Sequence, residues 1–206
     1  MVTSSDDGRR IAVRGAKLRA RVLDATIARI ERVGIDNVRI ADIAADVGVH
    51  ETSLYRRWKT LPRLLVDALV SRTAAEVPIP DTGSTRSDLE LFTADLARFA
   101  RTPAGIALIR GTVVSDTDPE VEAARRDFWV QRLSAAEVII ERGKRRGEVD
   151  PDADARLVVL TLGGLIHLYV THLGDEIPAR LPDEAVALVL TGIVRPGALA
   201  KAKSEN

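Results

Sequence analysis

The stretch DIAADVGVHETSLYRRW, residues 42–58, decides how the chain is read. Together with Ile40 it carries Ile43 and Val47 at helical spacing, on one face of a short helix. Ala44 is small enough for a second helix to cross close by. Gly48 stands where the chain must reverse, a place that favours positive φ. Val49 and Leu54 then return against the first helix. Two short helices, a tight turn and one shared core make a helix-turn-helix. A plain αα-hairpin inside a bundle fits the same spacing, and the end of the stretch weighs against it. With the apolar face inward, Glu51, Thr52, Tyr55 and Arg56 face out. A bundle surface gains little from Tyr55, Arg56, Arg57 and Trp58 together. A helix in the DNA major groove gains directly, because Arg and Thr read base edges or hold phosphates and a Tyr hydroxyl bonds phosphate oxygen. Trp58 ends the helix and is expected in the core against a neighbouring helix.

Working outward, nearly every segment reads as helix. Leu18, Val22, Leu23, Ile27, Ile30 and Val33 share half a helical wheel that Gly34 closes. Thr60 can cap a fourth helix to about residue 76, with Pro62 tolerated in its first turn. VPIPDTGST (77–85) is a break. Beyond it, helices are expected at 88–100, 103–114, 119–146, 154–173 and 183–194. No alternating β-branched run is bounded by hairpin turns, so the fold class is all-α with about nine helices. The expected division is a helix-turn-helix head at 10–60, a helical body at 61–196 and a frayed tail at 197–206. RRIAVRGAKLRAR (9–21) reads as a basic arm before the first helix or as a solvated charge run.

Composition bounds the rest. The chain has 206 residues, 46% of them hydrophobic, and no cysteine, which removes disulfides, thiol chemistry and Cys-ligated metal. Residues 1–70 carry 13 Lys and Arg against 9 Asp and Glu, and residues 71–206 carry 17 against 21. A basic front and an acidic back suit a head that meets a polyanion. The first residues, MVTSSDDGRR, lack a secretory signature, and the longest apolar run, 157–170, is short for a membrane span. That run reads as a buried helix, and the location as cytoplasm. An enzyme finds little support. His50, His167 and His172 form no metal-binding pattern, since the last two stand five apart, off a shared helical face. No nucleophile elbow or phosphate loop is present, and no metal or cofactor is expected.

At Gly34, IADIAADVGV (40–49), TSLYRRW (52–58) and LPRLL (61–65) the chain resembles the TetR family of transcriptional regulators. Here YRRW replaces the commoner ending Tyr-Arg-x-Phe. The resemblance implies an all-helical homodimer whose first three helices bind DNA, whose body binds a small ligand and whose last two long helices make the dimer interface. It places Thr52, Ser53 and Tyr55 on the recognition helix, with Tyr55 at a phosphate. Two positions depart from the family pattern. Arg39 stands where a capping Thr is common, and Leu61-Pro62 where a phosphate-binding Lys or Arg is common, leaving Lys59 or Arg63 for that contact. The candidate DNA-binding residues are Arg39, His50, Glu51, Thr52, Ser53, Tyr55, Arg56, Arg57 and Lys59.

For the body, the run LVVLTLGGLIHLYV (157–170) lacks a polar face and needs cover on all sides, which a second subunit can supply. A monomeric core is the alternative. Leu160, Gly163, Gly164, His167, Val186, Val189, Leu190 and Ile193 are the candidate dimer residues, forming a four-helix bundle about a two-fold axis. Phe92, Phe99, Arg110, Phe128, Trp129, His167 and Tyr169 are the candidate ligand residues, with Arg110 suited to an anionic group. The expected function is a ligand-responsive repressor that binds a palindromic operator on double-stranded DNA as a dimer. The alternatives are a DNA-binding regulator without small-molecule control and an all-α enzyme.

Overall fold

The computed structural model describes residues 4–111, 119–174 and 176–191. All regular structure among them is helical. The nine described α-helices are α1 (Ser4–Val33), α2 (Ile40–Val47), α3 (Glu51–Trp58), α4 (Leu61–Glu76), α5 (Thr85–Ala100), α6 (Pro103–Gly111), α7 (Pro119–Arg146), α8 (Ala155–Leu168) and α9 (Leu181–Thr191). A 3₁₀ turn at Ile35–Asn37 follows α1, and a π turn at Tyr169–Leu173 prolongs α8. The expected helix to residue 114, Ile193 and the tail at 197–206 lie wholly or partly outside the described residues. The helices form two compact units. The first holds residues 1–76 and 102–129, and the second residues 77–101 and 130–206.

In the first unit α1 is longer than its apolar pattern suggests. Residues 9–21, read above as an arm before the first helix, belong to α1 itself. Ala12, Ala16 and Ala20, with Arg, Lys and Leu between them, are strong helix formers and no proline interrupts them. Further on, Val22, Leu23, Ile27 and Ile30 are buried, as their spacing predicts. Ile40, Ile43, Ala44 and Val47 of α2 and Leu54 and Trp58 of α3 complete this core.

Local chemistry closes each helix. Gly48 adopts φ 69°, ψ 41°. Its N–H donates to the Ala45 carbonyl at 3.1 Å, while the Val49 N–H reaches the Ala44 carbonyl at 3.0 Å. That pair of bonds is a Schellman closure, which needs the left-handed residue. Helix α3 ends differently. Lys59 takes φ 64°, ψ −47°, and the Thr60 N–H donates back to the Trp58 carbonyl at 2.7 Å, a γ-turn. Positive φ at a residue with a Cβ costs on the order of 1–3 kcal/mol and must be held by its surroundings. Thr60 then starts α4, its hydroxyl accepting from the Arg63 N–H at 3.4 Å.

Three side chains fasten these helices together. Arg29 of α1 forms a fork on Asp46 of α2, at 2.5 and 2.7 Å. Arg21 of α1 donates to the Val47 carbonyl at 2.8 Å, at the mouth of the turn. Asp67 of α4 takes two donors at once. One carboxylate oxygen accepts from Trp58 Nε1 at 2.8 Å and the other from Arg19 at 2.5 Å. A single carboxylate therefore joins α1, α3 and α4.

In the second unit α5 packs against α8 and α9. Its first turn is anchored to the end of α7. The Thr85 N–H and hydroxyl both donate to one Glu148 oxygen at 2.6 Å, and Arg146 pairs with the other at 2.9 Å. Gly143 allows this approach, because a Cβ there would stand 2.2 Å from the Thr85 hydroxyl. The Thr85 hydroxyl, the Thr85 N–H and then Arg146 hold the Glu148 carboxyl down, from its ordinary 4.5 to about 2. Buried Asp88 accepts from the Thr82 N–H at 2.6 Å and the Thr82 hydroxyl at 2.7 Å.

Helix α8 corrects the expectation of a wholly buried helix. Val159, Leu162 and Ile166 are buried, but Leu157, Leu160 and Leu168 are about half exposed or more, Leu157 reaching 61%. Residues Ala155–Leu173 are also long and apolar enough to pass for a membrane span, with a mean hydropathy of 1.4. The same test admits core helices, and α8 packs on α5 and α9.

Two tests follow from these anchors. A depressed folded-state pKa contributes stability above the unfolded value and loses it as pH falls. Acid unfolding should therefore steepen as pH drops from 4.5 toward 2, and Glu148→Gln should flatten that dependence in denaturant titrations across the range. Asp67→Ala leaves the Trp58 N–H without an acceptor and should lower unfolding free energy by about 1–3 kcal/mol, whereas Asp67→Asn keeps an acceptor and should cost less. Urea midpoints measure both.

Candidate nucleic-acid interface

The outward face of α3 is assembled from the residues that the turn and the core leave over. With Leu54 and Trp58 inward, Glu51, Thr52, Tyr55, Arg56 and Arg57 are exposed. Tyr55 keeps 46% of its surface free, a large amount for an aromatic residue. Thr52, Tyr55 and Arg56 recur at three- and four-residue spacing, so they share one side of the helix, and Lys59 follows at its end. Ser53 is half-buried and its N–H donates to the His50 carbonyl at 2.9 Å. The Arg57 guanidinium lies 5.4 Å from the centre of the Trp58 ring, which turns it toward the aromatic edge of the core.

His50 and Arg39 are the exposed N-caps of α3 and α2, in extended conformations, and neither makes a side-chain cap bond. Arg39 thus leaves the first N–H groups of α2 uncapped by a side chain, as its chemistry dictates. A helix start with free donors and a cation beside it suits an oxyanion such as phosphate. The candidate residues of α2, α3 and the following turn belong to one compact unit, and none but Ser53 is less than exposed. What this face can do is bind and read a polyanion. It holds hydrogen-bonding groups and cations, and no cluster of His, Cys, Asp or Glu suited to a metal ion occurs among the described residues.

The body candidates divide between the units. In the first, Arg110 is exposed. Its helix α6 buries Ala107, Leu108 and Ile109 instead. Phe128 is buried and its ring centre lies 5.1 Å from that of Trp129, whose buried Nε1 has no hydrogen-bond acceptor. In the second unit Phe92 and Phe99 are core residues, 4% and 1% exposed. His167 and Tyr169 are half-buried. Burial, and secondarily the charge of His172, hold His167 below the ordinary histidine range. The π turn beside them alters the α-helical spacing on which the sequence argument set these two histidines apart.

Of the dimer candidates, Leu160 and Gly164 are exposed, and a Cβ at Gly164 would meet nothing within 4 Å. Gly163 faces inward, with Leu96 4.0 Å from such a Cβ. Val189 and Leu190 are half-buried. Val186 is fully buried within its own chain, so its assignment to an interface is corrected to core.

Three residues of consequence escaped the sequence reading: Arg21, Asp67 and Arg132. Arg21 and Asp67 are bound to partners 26 and 48 positions away, a separation that helical periodicity does not report. Arg132 sits in a charged stretch of α7, and its unusual surroundings come from α5.

Comparison with known proteins agrees with this geometry. Residues 79–189 match the family model described as Tetracyclin repressor-like, C-terminal domain. The HTH-type transcriptional regulator AqdR of Rhodococcus erythropolis is 64% identical over 192 residues, covering 93% of each chain. The crystal structure of the TetR family transcription regulator SCO0332 superposes with a TM-score of 0.75 at 24% identity, over 87% of this chain and 100% of that one. FadR from Bacillus subtilis, crystallised with stearoyl-CoA, gives 0.65 at 18% identity, over 85% and 99%. With a helix-turn-helix head, a matching body and a relative this similar along nearly its whole length, the chain belongs to the TetR family of DNA-binding transcriptional regulators.

Proposed function

We propose that the protein is a homodimeric repressor that binds a palindromic operator through α3 and is released by a small molecule held in its body. The observation that carries the DNA part is the exposed face of α3, where Thr52, Tyr55 and Arg56 stand outward from a buried Leu54 and Trp58. In this reading phosphate contacts from Tyr55, Arg39 and Lys59 supply most of the affinity, and Thr52 and Arg56 read bases. His50, Glu51, Ser53 and Arg57 frame that face. Repression then follows from occupancy of DNA that a polymerase needs. The setting is the cytoplasm, and the division into a reading head at 10–60 and a sensing body at 61–196 is part of the same proposal.

Support for the dimer comes from α8. Its exposed Leu157, Leu160 and Leu168 form a stripe with Gly164 that water covers poorly, and a two-fold partner would bury it. Two recognition helices related by that axis require half-sites one helical turn apart, roughly 34–36 Å, or a multiple. An effector that favours one separation of the heads shifts operator affinity, typically by about 5–150-fold. FadR from Bacillus subtilis, of similar fold, is in complex with stearoyl-CoA, which supports a small molecule as the effector.

Tyr55→Phe and Arg56→Ala should each weaken binding to a palindromic duplex while helicity and oligomeric state stay the same. Losing the Arg56 phosphate or base contact should also cost about 1–3 kcal/mol if it reads a base. Unchanged affinity in both variants by fluorescence anisotropy would refute the assignment of α3. Gly164→Asp places a charge in the stripe and should shift sedimentation toward monomer. A dimer that survives it has its interface elsewhere.

A further inference from the structure

Three arginines of α7 reach the segment between α4 and α5 or the start of α5. Arg142 donates to the Pro80 carbonyl at 2.7 Å and stands 3.5 Å from the Asp81 carboxylate. Arg146 pairs with Glu148 at 2.9 Å and lies 3.8 Å from buried Asp88. Arg132 differs. It donates from one terminal nitrogen to the Val77 carbonyl, and its guanidinium carbon lies 5.7 Å from the centre of the Phe92 ring. No carboxylate among the described residues pairs with it, and its Nε and other terminal nitrogen make no hydrogen bond there.

That environment is unfavourable for a cation. Arg132 is half-buried, and burial without a counter-charge holds its guanidinium below the ordinary arginine range. A carbonyl and a ring face compensate only in part, and an apolar residue of similar volume would suit the spot as well or better. A carboxylate or phosphate brought alongside recovers the missing pairing. Phe92 covers a face of the guanidinium, while its in-plane N–H groups match two oxygens of one head group. Thr93, the residue after Phe92, carries a hydroxyl that is also without a partner, in a residue 1% exposed. A buried hydroxyl without a partner thus sits on the turn of α5 against which Arg132, half-buried and bonded only to the Val77 carbonyl, is stacked.

We propose that Arg132, stacked on Phe92, receives the anionic head of the effector, and that the effector is an apolar molecule ending in a carboxylate or phosphate. This deepens the ligand-responsive reading and rests on it. It also moves the anion site expected at Arg110 to a residue that is partly withdrawn from water.

The test uses the full chain, its Arg132→Met and Arg132→Lys variants, and three probes of equal chain length: decanoate, decyl phosphate and decanol. Binding is read by tryptophan fluorescence and operator release by anisotropy. The wild type should bind at least one of the two anions about tenfold more tightly than decanol, a difference of 1.4 kcal/mol, and should release DNA with it. The better of the two arms identifies the head group. Arg132→Met should lose that preference, keep its affinity for DNA without ligand, and melt no lower than the wild type. Arg132→Lys should keep a reduced preference, having charge without the fork. Anion preference that survives in Arg132→Met or in both variants overturns the proposal, as does a wild type that binds none of the probes or does not favour an anion over decanol. Arg132→Met melting lower with its preference intact would make Arg132 a structural staple and likewise overturn it. A wild type that never binds operator DNA would instead sink the wider reading, which the anisotropy measured without ligand reports separately.

Discussion

An eight-residue helix does not hold its shape in water alone, and α3 is eight residues long. The rest of the first unit is arranged around that constraint. Leu54 and Trp58 bury the inner side of α3, which packs on α2 and α4, and its outer side stays exposed. The Schellman closure at Gly48 sets its entry, and the γ-turn at Lys59 sets its exit. Asp67 then ties the indole at its end to α4 and, through Arg19, to α1. The outward residues Thr52, Tyr55 and Arg56 are exposed and take no part in the buried core.

This arrangement gives α4 a particular role. It carries the carboxylate that fixes the end of the recognition helix, so a displacement of α4 is a displacement of α3. The bond from Trp58 to Asp67 is short and directional, which transmits orientation better than apolar contact does.

The second unit manages charge in another way. Some of its charged groups anchor the start of α5 to the end of α7, as at Thr85, Glu148 and Arg146. Against that pattern Arg132 stands out, since a half-buried cation without an acid is something folding stability alone does not favour. The exposed stripe of α8 is the apolar counterpart, surface that a lone chain has no reason to leave in water.

The helix-turn-helix, the all-α class and the inward place of Trp58 were legible in the sequence because they rest on local rules: apolar spacing, a glycine at the reversal, and a polar face left over. Tertiary structure decided the rest. Val186 went to the core and Leu160 to the surface on helices of similar composition, because the direction of a helix face depends on which neighbour it meets. Arg110, alone in an apolar stretch, turned to solvent, while Arg132, in a charged stretch, was drawn partly inside. Burial and partner choice are properties of contacts between distant segments, and periodicity along one helix carries no record of them.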